Sequence, residues 1–289
     1  MDIPVPESMP DSLREFLERA LPSLTEHSWL VGIAAGGSFA TGQMDEFSDL
    51  DLLLIVEDER HAEVMEERPA IAGSLGPLLT SFSGEHVGQP RLLQCLYGPP
   101  LIHVDFVFDT MGEASERVEK QVVLWERDEI LSKALNLKNP HYFFTPMQWH
   151  EDRFWVWVHK AAGAIGRGEI LEAIEYLGFL RNRVLAPLVW SARGKRPRGL
   201  RGVENVVSKY AKGLRATVAG YNAKQCLIAL RATVKLYCRL RQAERNKPEY
   251  RVEAEGAVRA YLDEIEAKLY ASKDELPESS PEASLPDPT

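Results

Sequence analysis

An α+β fold in two parts is predicted: a mixed β-sheet flanked by helices, followed by an all-α helical bundle. Three observations predict it. Short β-type apolar runs cluster before residue 146, long stretches of helical periodicity follow it, and Gly and Pro turn signals separate the runs in the first part. The divisions expected are residues 1–145, 146–272 and a Pro-, Ser- and acid-rich disordered tail over 273–289. Leu13, Phe16, Leu17 and Leu21 give a helix over residues 10–21, with Pro22 as its stop. An apolar strand over 29–35 runs into Gly36-Gly37, and a second over 50–56 is interrupted only by Asp51. Residues 57–68 have helix-forming, charge-rich composition closed by Pro69. Strands over 91–97 and 101–108 flank the turn Gly98-Pro99-Pro100. Beyond Pro146, helices are expected over 148–165, 170–192 with a kink at Pro187, 223–245 and 252–270. Breaks are read at residues 163–166 and 194–199.

The 289 residues are 45% hydrophobic and 27% charged, enough to bury a core and against a chain disordered throughout. No window reaches the ~18 apolar residues of a membrane span. The first residues carry neither a basic start nor an apolar core, so no signal peptide is read and a cytoplasmic setting is expected. Cys95, Cys226 and Cys238 form no CxxC pair, and His150-Glu151 is followed by Asp152, Arg153 and Phe154, not by a second His, so a structural zinc is not expected. The net charge of -9 is unevenly spread: residues 181–251 hold 18 Lys and Arg against 3 Asp and Glu. Such a span either faces an anion, a triphosphate or nucleic acid, or is a solvated face paired with acids.

Residues 32–56 carry the chemistry. After Gly37-Ser38 and ten intervening residues come Asp49 and Asp51, opening an apolar strand. Two residues apart on a strand, they project to one face, about 6.6–6.8 Å apart along the backbone. Carboxylates placed this way repel each other and make sense around a divalent cation. Gly36 and Gly37 allow close backbone approach, and the N–H groups and hydroxyl from Ser38 onward suit phosphate oxygens. Asp105 stands among β-branched and aromatic residues, either facing the same site or paired with a core Arg or with His103.

Gly37-Ser38, Asp49-Leu50-Asp51 and the later strand acid Asp105 together resemble the nucleotidyltransferase superfamily with the polymerase-β-like catalytic fold. The wording from Ser48 to Val56 is similar to its aminoglycoside and lincosamide branch. The motifs cover roughly residues 28–110. Where many relatives carry Arg three residues after the Ser, this chain has Thr41. The resemblance implies transfer of a nucleoside monophosphate from an NTP, with ATP the expected donor, to a hydroxyl of a small acceptor. It implies two Mg²⁺ ions on Asp49, Asp51 and Asp105, with Gly36, Gly37 and Ser38 on the nucleotide. Helical domains of the superfamily recognise the acceptor. Glu151, Asp152 and Trp155 are candidates there, against the alternative that they pack the interior and steady a helix start. Arg181 and Arg183 are phosphate candidates, against surface salt bridging. A protein or nucleic-acid acceptor, or a nucleic-acid-binding module built on the basic half, is the competing reading. An acidic pI near 5.4 and the lack of a recognisable RNA-binding motif weigh against it.

Overall fold

The structure, a computed structural model, describes residues 4–114, 119–137, 140, 142, 144–206, 208–244 and 246–271. The predicted tail over 273–289 lies outside the described residues. The chain forms two compact units, Met1–Tyr142 and Phe143–Thr289. Among the described residues no helix is long and apolar enough to cross a membrane.

The first unit opens with α1 (Asp11–Thr25), which buries Leu13, Phe16, Leu17, Ala20, Leu21 and Leu24 at helical spacing. Pro22 does not stop it. An interior Pro costs about 3 kcal/mol, but burying Leu24 returns about 1.5–3 kcal/mol, so the last turn holds while Pro22 points to solvent. After β1 (Leu30–Ala35) comes the five-residue α2 (Gly37–Thr41), then β2 (Leu50–Val56). The helix expected to end before Pro69 is α3 (His61–Ser74), and exposed Pro69 sits inside it, carried by buried Ile71 and Ala72. β3 (Leu78–Gly84), β4 (Gln89–Tyr97) and β5 (Ile102–Asp109) follow, then α4 (Met111–Ala114), β6 (Val122–Glu126) and α5 (Ile130–Leu137).

The six strands form one mixed sheet in the order β3-β4-β5-β2-β1-β6. β2 and β5 run parallel, and the other four neighbouring pairs are antiparallel. Strand alternation sorts the side chains into two layers. Leu50, Leu52, Leu54, Val104, Phe106 and Phe108 join α1 and α3 in the larger core. Leu53 and Ile55 join Ala114, Leu131 and Leu135 in a smaller one on the opposite face. That second face is only partly covered, and it carries Asp51, Asp105 and Asp109.

The second unit is helical: α6 (Met147–Gly166), α7 (Ile170–Leu180), α8 (Ala186–Ser191), α9 (Val203–Val206), α10 (Ser208–Arg215), α11 (Ala223–Ala243) and α12 (Val252–Ala271). Its core is built on Phe154, Val158, Ile165, Leu180, Tyr237 and Leu262. The break expected at Pro187 falls earlier, in a π-helical turn over Arg181–Leu185. Pro187 instead occupies the first turn of α8, where a missing N–H costs nothing. The break expected at 163–166 is the end of α6 itself, and Gly163 is buried inside that helix.

Candidate active site

The parallel pairing of β2 with β5 sets Leu50 opposite Val104 and Asp51 opposite Asp105. Two carboxylates thus stand side by side on neighbouring strands, on the half-covered face. Asp49 lies one residue ahead of β2, on the same alternation as Asp51. The glycine loop is tied to this pair, since Gly36 N–H donates to the Asp51 carbonyl at 3.0 Å. Gly37 adopts φ +54°, and a Cβ there would stand 2.0 Å from Asp51 Oδ2. Residue 37 has to be glycine on both counts. Two polar atoms of the motif residues are buried without a hydrogen-bond partner: Ser38 Oγ and Asp49 Oδ1. Buried polar atoms normally find partners, so such a pair points to a ligand. The Thr41 hydroxyl turns back to the carbonyls of Gly37 and Ser38, at 3.3 and 3.2 Å. The departure from Arg at that position therefore stabilises α2 and leaves no cation there.

Asp105 has company. His103 Nε2 lies 2.8 Å from its Oδ1, and Gln94 Nε2 donates to the same oxygen at 3.4 Å. The bond to Asp105 raises the His103 pKa; burial opposes it, and the charges of Asp105, Asp49 and Asp51 reinforce it. The imidazole thus reports a negative field shared by all three acids. Among the described residues no three His, Cys, Asp or Glu side chains converge closely enough to hold a metal ion. The geometry that suits a divalent cation is narrower: the unpartnered Asp49 oxygen, and the Asp51 carboxylate pressed into the space a residue-37 side chain would fill.

Two hollows flank the acids. A cleft of about 690 Å³ is lined by Gly36, Asp51, Asp105, Asp109, Glu113 and Glu119. Arg91 also lines it and is paired with Asp109, at 3.1 Å, and with Glu113. Burial raises the Asp109 pKa, with Arg91 opposing. A smaller hollow of about 250 Å³ is lined by Asp49, His103, Phe47 and Leu101. Sequence reading did not single out Asp109, Glu113 or Glu119. Period-two counting from Asp105 reaches Asp109, whereas Glu119 meets Gly36 only through the tertiary fold.

The residues singled out in the helical part have other duties. Glu151 is 1% exposed. Its carboxylate accepts from Tyr237 Oη at 2.6 Å, Arg241 Nη1 at 2.8 Å, Arg251 N at 3.0 Å and Trp155 Nε1 at 3.3 Å. Arg241 passes the charge on to Glu255 at 2.8 Å. Burial, then Glu151, pushes the Tyr237 phenol up. Glu151 and buried Trp155 therefore join α6 to α11, and they present nothing to solvent. Asp152 is exposed and bonded to Gln148 at 2.8 Å and Arg251 at 2.7 Å, and these bonds lower its pKa. Arg181 Nη1 donates to the Thr217 carbonyl at 2.8 Å. Arg183 is exposed on the π-helical turn.

The family model of the nucleotidyltransferase domain matches residues 13–138, the part that carries the glycine loop and the three acids. That match supports, for this part of the chain, the superfamily that its motifs resemble. Transfer of a nucleoside monophosphate is the general class of chemistry that this domain match supports. Among solved structures it is similar to an aminoglycoside 6-adenyltransferase from Bacillus subtilis, with 16% identity over 86% of this chain and 97% of that one and a TM-score of 0.39. It is also similar to a nucleotidyltransferase-like protein from Exiguobacterium sibiricum 255-15, with 12% identity over 80% and 76% and a TM-score of 0.37. A search of the curated proteins finds no match.

Proposed function

We propose that this chain transfers AMP from ATP to a hydroxyl of a small acceptor, of the aminoglycoside or lincosamide kind, and releases pyrophosphate. The observation that carries the reading is the in-register pair Asp51–Asp105 beside a residue 37 that tolerates only glycine. Asp49 and Asp51 would hold Mg²⁺, two ions in the full site, with Asp105 as a third ligand through the oxygen that does not bond His103. The cations supply neutralisation of the triphosphate charge. Gly37 and Ser38 receive the phosphates through backbone N–H groups and the buried Ser38 hydroxyl, and Gly36, its own N–H held by Asp51, lets them approach the loop without a side chain in the way. The acceptor oxygen bonds to the α-phosphorus, the bridging P–O bond breaks, and pyrophosphate leaves with its electron pair. The acceptor's proton passes to Asp105, within reach of His103.

Residues 1–145 would supply this chemistry, and 146–272 would recognise the acceptor. Of the five side chains named there, Asp152 and Arg183 remain accessible to a ligand. Cytoplasm, where ATP and Mg²⁺ are abundant, suits the reaction. The test is pyrophosphate release with each of the four NTPs against a panel of aminoglycosides and lincosamides, with mass detection of the nucleotidylated acceptor. Turnover with ATP and at least one panel member supports the reading. Turnover only with a protein or nucleic-acid acceptor overturns its acceptor class.

A further inference from the structure

The basic span of the sequence has a structural focus that the site does not use. Between α8 and α9, residues 193–201 read Arg-Gly-Lys-Arg-Pro-Arg-Gly-Leu-Arg, five cations and no acid in nine residues. The loop has a defined shape. Trp190 Nε1 donates to the Gly199 carbonyl at 2.9 Å, and Lys195 N–H to the Trp190 carbonyl at 3.1 Å. Gly194, Gly199 and Gly202 take φ of +63°, +55° and +68°, conformations that fix its bends and that other residues rarely adopt.

Several arginines elsewhere in the helical unit meet acids. Arg231 holds Asp263 and Glu266, Arg241 holds Glu151 and Glu255, and Arg251 holds Asp152 and Glu249. Arg193, Lys195, Arg198 and Arg201 are exposed, and none is in an ion pair among the described residues. Four unpaired cations on one pre-shaped loop are a charge pattern seeking an extended anion. Three of the four are Arg, whose forked donors match phosphate oxygens. The loop's one large apolar residue, Leu200, is half-buried, so nothing inserts into a lipid surface, and no ring stands exposed on it to stack a base.

We infer that this loop docks the phosphodiester backbone of a nucleic acid, without base readout, through Arg193, Lys195, Arg198 and Arg201. The inference goes beyond the proposed reaction and stands without it. Because the whole chain carries -9, attraction to a polyanion has to come from this local surface.

The test is fluorescence anisotropy of full-length protein with labelled single-stranded RNA, single-stranded DNA and duplex DNA across a salt series. Four phosphate contacts predict a slope of log K against log salt of about -3 on single strands. In the variant Arg193→Gln/Lys195→Gln/Arg198→Gln/Arg201→Gln that slope collapses towards zero and affinity falls at least about tenfold. The single variant Arg198→Gln loses about one contact's share, which guards against a folding artefact in the quadruple variant. A charge-matched control, Lys133→Gln/Lys160→Gln/Lys235→Gln/Lys268→Gln, keeps the wild-type slope. Equal loss in the control overturns the inference. So does equal binding of polyglutamate or anionic vesicles, or displacement by ATP at the same phosphate concentration.

Discussion

Gly37 is the residue on which the geometry turns. A methyl group there meets Asp51 Oδ2 at 2.0 Å and also forces an unfavourable backbone region on a non-glycine residue. Gly37→Ala therefore displaces the carboxylate, and kcat is expected to fall about 10²-fold, as small misplacements of reacting groups do. The left-handed backbone adds a stability loss of about 1–2 kcal/mol, read by urea denaturation. Asp49 predicts an opposite pairing of effects. Its Oδ1 is buried without a partner and shares its field with Asp51 and Asp105. Asp49→Asn removes that repulsion, so the free protein's Tm rises, by the equivalent of about 1 kcal/mol, while turnover is lost. A variant that lost both stability and activity would make Asp49 a structural acid. At this scale much was legible in sequence: the spacing of Gly37, Ser38, Asp49 and Asp51 sufficed to single them out. The His103–Asp105 bond was visible only as one alternative, because a strand acid's partner depends on register and on rotamer.

Helices and strands differ in how far their sequences foretold them. β2 falls where its apolar run predicts, at Leu50–Val56, since a fully buried strand carries an unbroken run. β3 was missed because it lies at the sheet edge, with Leu79 and Phe82 exposed and no clean alternation. Pro22 and Pro69 misled as stop signals because tertiary burial around each offsets much of its local cost. Glu151 is the clearest case. Beside aromatic residues it is open to two readings, a ligand contact or an interior role, and it is the hub of a buried network tying α6 to α11. Arg241→Met leaves that carboxylate without its ion partner, and a loss of about 3–5 kcal/mol is expected in urea denaturation. Replacing both partners by apolar residues is expected to cost much less.

His150, on the same helix, is buried with both ring nitrogens unpartnered, and burial, then Arg153, lowers its pKa to about 4. The unfolded imidazole titrates near 6.5, so between these values the unfolded state binds the extra proton. Stability therefore falls as pH drops from about 6.5 towards 4, by about 3 kcal/mol in total. His150→Phe is expected to flatten that acid limb in a pH series of urea midpoints.

At the scale of the whole molecule, the chain separates its charges. Acids gather on the half-covered face of the sheet, around the Asp51–Asp105 pair, and cations concentrate in residues 181–251. Composition revealed the asymmetry, and the fold shows how much of it is already paired: Arg231, Arg241 and Arg251 are paired with acids, whereas Arg193, Lys195, Arg198 and Arg201 are in no ion pair among the described residues. We propose that the β2–β5 acids carry nucleotidyl transfer. It is tested most directly by pyrophosphate release with ATP, Mg²⁺ and an active acceptor, comparing wild type with Asp51→Asn, both shown folded by circular dichroism. A loss of about 10²–10³-fold in kcat is expected in the variant, the scale of removing a group that stabilises transition-state charge, together with loss of Mg²⁺-dependent thermal stabilisation by ATP. Turnover and stabilisation retained near wild-type levels in folded Asp51→Asn would contradict it.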